Sequence, residues 1–168
     1  MTLCVKRFGE LSTDELYQIL KLRVDVFVVE QHCPYPELDD CDQNAIHVWL
    51  EDDNEIKAYL RVLDRKIKSE WVSIGRVVAA KRRAGLGTKV LQAGIQIARE
   101  RFHADAVYLE AQTYARALYE KQGFHVISEE FMEDGIPHVK MLLDLKTVAK
   151  NSHGDRRLTK VGKESPDM

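Results

Sequence analysis

The chain has 168 residues and a mass of 19.3 kDa, with 45% hydrophobic and 31% charged residues. That is enough sequence for one globular domain with its own core, and it excludes a wholly disordered chain, a collagen and a multi-span membrane protein. The net charge of −2 argues against a general nucleic-acid binder. No apolar stretch approaches the ~20 residues of a membrane-spanning helix. Residues 1–10 have no apolar secretory segment, and Cys4, Cys33 and Cys41 form no CxxC pair. A cytoplasmic protein with reduced thiols is therefore expected.

Residues 3–8 read as a first strand. Ser12 followed by Glu15 is a capping box, and Leu16, Ile19, Leu20, Arg23 and Phe27 then recur at helical spacing. Arg23 is either a rim residue or a buried charge whose partner is an acid of the next loop. The valine-rich run 26–29 is where the helix kinks or ends. Residues 30–44, with Pro34 and Pro36, form a long loop. Strands 46–51 and 56–63 follow, joined by an acidic turn. Residues 71–80 are another strand, apolar on both faces in its second half, as a central strand is. A helix over 85–102 carries Val90, Leu91, Gly94, Ile95, Ala98 and Phe102 inward. Strand 106–111 and a short helix from Thr113 to Gly123 come next. Strands 124–127 and 138–145 close the sheet, with residues 134–137 between them. Residues 1–147 form the domain, and the polar residues 148–168 are expected to be a disordered tail. Strand 71–80, its helix and strand 106–111 make one βαβ unit, whose strands are parallel. Hairpins make the other pairs antiparallel.

Charge is unevenly spread. Nine acids and no Lys or Arg lie between Glu30 and Glu55, while seven basic residues and one acid lie between Arg76 and Arg101. Either these are solvated faces or one half meets a cation and the other an anion.

The strongest chemical signal is the turn Arg82, Arg83, Ala84, Gly85, Leu86, Gly87, Thr88 between a buried strand and a long helix. A helix start leaves backbone N–H groups unpaired and its dipole attracts an anion. Gly85 and Gly87 let a phosphate approach the backbone. The spacing fails the P-loop pattern. A dinucleotide fingerprint matches its first two glycines, but Val90 stands at the third. The form Arg/Gln-x-x-Gly-x-Gly/Ala matches Arg82, Gly85 and Gly87. His32, Cys33, Asp39, Cys41 and His47 match no structural zinc spacing, so no metal is expected.

This turn, followed ~25 residues later by a segment from Glu110 to Phe124 carrying Ala-x-x-Leu-Tyr-x-x-x-Gly-Phe, resembles the GNAT superfamily of acetyl-CoA-dependent N-acyltransferases. Residues 26–35, Glu37, Asp39, Asp42, His47 and residues 133–138 resemble its ElaA-type subgroup. The resemblance covers roughly residues 2–145. Gln112 stands where the superfamily usually has Asn, and the turn after Arg76 is about two residues shorter than usual. The resemblance implies a mixed α+β fold. Its central, mostly antiparallel twisted sheet has about seven strands and one splayed parallel pair, flanked by about four helices.

It implies an acetyl-CoA co-substrate lying between the two parallel strands. Val77, Val78 and Ala79, with Gln112, would meet the pantetheine arm. Arg82, Arg83, Ala84, Gly85, Leu86, Gly87 and Thr88 would hold the pyrophosphate. Tyr119 aligns with the tyrosine beside the CoA sulfur and is the expected general acid. The base is not singled out: Glu110, His138 and His47 are candidates, as is a water chain. Glu30, His47, Glu133 and His138 are expected on the acceptor side. An acidic pocket suits a cationic small-molecule amine or a lysine side chain. A homodimer is compatible with the sequence; a nucleic-acid or membrane partner is not expected. Two other readings stay open: a non-catalytic acyl-CoA sensor and an acyltransferase served by an acyl-carrier protein.

Overall fold

The computed structural model describes residues 1–80 and 84–146. Arg82 and Arg83 of the phosphate turn, and the expected tail, lie outside the described residues. In chain order the elements are β1 (Thr2–Arg7), α1 (Thr13–Arg23), β2 (Ile46–Asp52), β3 (Glu55–Leu63), β4 (Val72–Ala79), α2 (Leu86–Phe102), β5 (Ala106–Gln112), α3 (Arg116–Glu120), β6 (His125–Val126), β7 (Phe131–Glu133) and β8 (Ile136–Asp144). The eight strands form one sheet in the order β1-β2-β3-β4-β5-β8-β6, with β7 also paired to β8. Only β4 and β5 run parallel. Among the described residues no helix is long and apolar enough to cross a membrane.

The mixed α+β architecture is the expected one, with differences of detail. The capping box forms, Ser12 Oγ accepting from the Glu15 N–H at 3.0 Å. The α-helical turns end at Arg23, ahead of the valine-rich run, but the helix does not stop there. It widens into a π-helical turn, Val24–Glu30, in which the Cys33 N–H reaches back five residues to the Val28 carbonyl. β7 was not anticipated. Its hairpin to β8 turns at Asp134 and Gly135, both at positive φ, so Ile136 and Pro137 belong to the strand and not to the connection. The strand expected over 124–127 is only two residues long. Three α-helices flank the sheet among the described residues, one fewer than expected unless the π-helical turn is counted.

The sheet is buried on two unequal faces. Val62, Val72, Ile74, Leu109 and Met141 pack beneath α2 with Val90, Leu91 and Ala98. The helix comes closest at Gly94, where a Cβ would stand 2.8 Å from both δ-carbons of Leu60. Glycine there sets how deeply α2 seats. On the other face α1 covers only the β1 side, over Trp49, Tyr59 and Val78.

Two irregularities in β4 make the site. It pairs with β5 at only two rungs, Val72 with Val107 and Ser73 with Tyr108. Immediately afterwards β4 carries one residue more than β3 between the Gly75–Arg61 and Val78–Tyr59 rungs. This bulge holds Arg76 at φ 54°, which strains a non-glycine residue by about 1–3 kcal/mol. A bulge bends its strand and increases the local twist, so β4 leaves β5 at this point.

Three of the four acids of residues 31–44, namely Glu37, Asp39 and Asp42, are paired internally, and the fourth, Asp40, is exposed. Arg23 Nε meets Glu37 Oε1 at 2.7 Å and its Nη1 meets Asp42 Oδ1 at 2.7 Å. Arg61 bonds Asp39 at 2.5 Å and Asp42 at 3.0 Å, and Lys68 lies 3.1 Å from Asp39. Arg23 is thus the buried charge with a loop acid as partner. His47 sits beside this cluster, fully buried, with Nδ1 2.7 Å from the Tyr59 hydroxyl and Nε2 2.9 Å from the Asp42 carbonyl.

This arrangement makes stability pH-dependent. Burial raises the Asp39 and Asp42 carboxyls, but Arg61 and Arg23 respectively outweigh it and hold both below the ordinary range. Burial lowers the His47 imidazole. In the unfolded chain His47 takes up a proton below about pH 6.5 and the aspartates below about pH 4. The unfolded chain therefore binds more protons in both windows, and stability falls as pH falls. Urea midpoints should decline between pH 7 and 5 and more steeply between pH 4 and 2.5; a flat profile contradicts this account.

Candidate active site

A cleft of about 370 Å³ opens where β4 and β5 part. Ser73, Gly75, Arg76 and Val77 line its β4 side. The opposite side takes Tyr108, Glu110 and Gln112, which share one face of β5 at a spacing of two, together with Tyr119 of α3 and His138 of β8. Phe27 of the π-helical turn and Gln31 just after it, then Cys33, Tyr35 and Asp39, form the third wall. Two contacts tie that wall across the opening. Gln31 and Gln112 exchange amide hydrogen bonds at 2.9 and 3.2 Å, and the Cys33 thiol lies 3.3 Å from the Asp134 carbonyl.

Three expected site residues meet in this cleft with suitable chemistry. Tyr119 is 7% exposed, and its ring meets the edge of Phe124 at 6.1 Å. Burial pushes its phenol above the ordinary value, so it stays protonated at neutral pH. His138 Nδ1 lies 2.7 Å from the Ile136 carbonyl. A carbonyl only accepts, so Nδ1 carries the hydrogen and the neutral ring keeps its lone pair on Nε2. That Nε2 lies 3.7 Å from Glu133 Oε2, close enough to stabilise an imidazolium. The ring is braced by stacking on Phe131 at 5.9 Å. Glu110 accepts from the Tyr108 hydroxyl at 2.9 Å. Burial, then that bond, raises the Tyr108 phenol, and the Glu133 charge adds to it. Both carboxylates therefore act on one point of the cleft.

The donor-side expectations divide. Val77 lines the cleft, whereas Val78 turns away and packs beneath α1, and Ala79 packs against the α2-side core. Gly85 precedes α2 at φ 75°, and the first intrahelical bond is from the Lys89 N–H to the Gly85 carbonyl. Leu86, Gly87 and Thr88 consequently have no intrahelical acceptor and present N–H groups at the helix start. A Cβ on Gly87 would lie 3.7 Å from Leu118, so this end of α2 abuts the helix that carries Tyr119. Arg82 and Arg83 lie outside the described residues.

Of the residues expected on the acceptor side, Glu133 and His138 reach the cleft and Glu30 and His47 do not. Glu30 is exposed and is not among the cleft's lining residues. His47 is closed off from the cleft with both ring nitrogens engaged, so its role here is structural. Glu37, Asp39 and Asp42 are not free carboxylates, because Arg23, Arg61, Arg76 and Lys68 hold them, and the exposed Asp40 is not among the cleft's lining residues. The acids on the far wall are Glu110, Glu133 and Asp134, and no Lys or Arg ion pair to them is found among the described residues. Lys140, cross-strand from Glu110, lies with its ammonium 5.9 Å from the Phe131 ring centroid. Sequence reasoning also missed Tyr108 and Ser73. The period-two spacing of Tyr108, Glu110 and Gln112 was the available signal for the first; nothing local marked the second.

Residues 15–145 match the model of the acetyltransferase (GNAT) domain. A UPF0039 protein of Schizosaccharomyces pombe is 40% identical over 144 residues, covering 83% of this chain and 95% of that protein. Protein ElaA of Escherichia coli is 36% identical over 137 residues, covering 79% and 90%. The crystal structure of an acyl-CoA N-acyltransferase from Pseudomonas aeruginosa superposes with a TM-score of 0.80 at 38% identity, covering 85% of this chain and 99% of that one. The chain belongs to the GNAT acetyltransferase family.

Proposed function

We propose that the protein transfers an acetyl group from acetyl-CoA to a primary amine by direct attack in a ternary complex. The observation that carries this reading is the two-rung β4–β5 pair, which opens into a cleft beside the start of α2. Beyond Ser73 the edge of β4 that faces β5 has no strand rung, while its other edge stays paired to β3, and that open edge suits the amides of a pantetheine arm. The N–H groups of Leu86, Gly87 and Thr88 suit a pyrophosphate, with Arg82 and Arg83 adding positive charge. Gln112 reaches the arm by exchanging its Gln31 amide partner for a pantetheine amide. The three free cysteines fit a reducing, cytoplasmic setting.

The acceptor approaches as an ammonium ion, drawn by Glu110 and Glu133. This replaces the acidic loop as the basis for a cationic small-molecule or lysine acceptor. His138 Nε2 takes one ammonium proton, and Glu133 stabilises the imidazolium. The freed amine lone pair attacks the thioester carbonyl carbon. When the carbon–sulfur bond breaks, the thiolate takes the Tyr119 hydroxyl proton, the nitrogen gives its second proton to the resulting tyrosinate, and the His138 proton passes to solvent. The products are the N-acetyl amine and CoA.

Calorimetric titration with acetyl-CoA, and with NADH as control, tests the donor. Micromolar binding of acetyl-CoA alone is expected; binding of NADH instead overturns the reading. Tight acetyl-CoA binding with no product across a broad amine panel would convert the enzyme reading into a non-catalytic sensor. Tyr119→Phe should bind acetyl-CoA normally and lose about 100-fold in kcat; unchanged turnover removes Tyr119 as the acid. His138→Gln should bind acetyl-CoA normally and lose a similar factor in kcat; unchanged turnover assigns the base elsewhere.

A further inference from the structure

Arg76 occupies a backbone conformation that favours glycine, in the middle of a strand. Its side chain is held entirely by residues 35–39. Nε lies 2.9 Å from Glu37 Oε1. Nη2 donates to the Glu37 carbonyl at 3.0 Å and approaches Asp39 Oδ2 at 3.4 Å. The guanidinium carbon stands 5.8 Å from the centroid of the Tyr35 ring. The two acids are themselves immobilised. Glu37 is 3% exposed and is bound by Arg23 and by the Tyr35 hydroxyl, and Asp39 is bound by Arg61 and Lys68. They cannot follow Arg76 if β4 relaxes.

The position of Arg76 decides what this grip does. It lies three residues after the last rung shared with β5, at the bulge where the strands part. Released from the loop, a non-glycine residue here returns toward extended backbone, and β4 runs on beside β5. That would close the gap which exposes the strand edges. The guanidinium faces the loop's carboxylates, so its charge is already matched.

We propose that Glu37 and Asp39 are positioning residues of the donor site, which clamp Arg76 in its left-handed turn and so hold β4 and β5 apart for acyl-CoA. This rests on the reading of the gap as the acyl-CoA site. The acidic loop then serves the donor and not the acceptor, and because the same segment carries Gln31 and Cys33, it couples the two sides of the cleft.

Glycine adopts the required backbone without a clamp, which makes the test specific. Arg76→Ala should weaken acetyl-CoA binding at least tenfold, whereas Arg76→Gly should stay within threefold of the parent. Glu37→Gln should weaken binding, and adding Arg76→Gly to it should restore binding. Equal losses in Arg76→Ala and Arg76→Gly would mean that Arg76 acts by its charge, and no loss in either would mean that the clamp is idle; each overturns the proposal. Amide hydrogen exchange of residues 74–77 and 109–111 reads the gap without any ligand. Exchange should slow in Arg76→Ala and keep its parent rate in Arg76→Gly, and unchanged rates in both overturn the clamp. If the parent protein binds no acetyl-CoA, the functional reading fails while hydrogen exchange still decides the clamp. Should Arg76→Ala melt, Glu37→Gln and its double variant carry the same comparison.

Discussion

Three arginines from three different elements converge on three carboxylates of one irregular segment. Arg23 comes from α1, Arg61 from β3 and Arg76 from β4; Glu37, Asp39 and Asp42 come from residues 31–44. Taking such charges out of water costs several kcal/mol per ion, and their mutual attraction offsets this only when every group is matched. Here Asp42 bridges Arg23 and Arg61, Glu37 bridges Arg23 and Arg76, and Asp39 bridges Arg61 and Arg76. Each acid thus joins two elements. A long segment with two prolines and little regular structure of its own has few other means of staying in place. The wall of the cleft, the setting of the β4 bulge and the burial of His47 all depend on this matching.

The cleft shows how similar groups acquire different tasks from their surroundings. Tyr119 and Tyr108 are both buried phenols. Tyr119 has no charged partner among the described residues and keeps its proton available; Tyr108 is bound to Glu110. His47 and His138 are both mostly buried imidazoles. His47 has both nitrogens engaged, whereas His138 uses only Nδ1 on the Ile136 carbonyl and leaves Nε2 facing Glu133 and the cleft. The backbone around each ring, set by the hairpin turn at Asp134 and Gly135 in one case and by the β2–β3 register in the other, makes the difference.

Much of the fold was readable along the chain because it is written in local patterns. The Ser12 capping box, the alternation of β3, the inward stripe of α2 and the glycine-bearing turn before it each involve residues a few positions apart. The partner class of Arg23 was readable too, since one acidic segment follows α1. The elements that escaped were those without a local signature. β7 is three residues long and exists because β8 offers an edge. The π-helical widening of residues 24–30 depends on how valines pack where α1 ends.

Periodicity, capping and motif spacing are properties of neighbouring residues, so the order of the elements other than β7, the single βαβ unit, the family resemblance and the candidates Tyr119, Glu110 and His138 could be read along the chain. Only the tertiary structure decided what the charged residues do. Composition marks residues 30–55 as acidic and so as a match for a cation, but charges act over distances in space, and folding brings arginines from positions 23, 61 and 76 onto those acids. Asp39 lines the cleft already matched by arginines, and the acids there without a Lys or Arg ion pair among the described residues are Glu110, Glu133 and Asp134. The separation of β4 from β5 was expected through the family resemblance alone, and no local pattern marks its place, which lies at the bulge where Arg76 meets Glu37 of a distant segment.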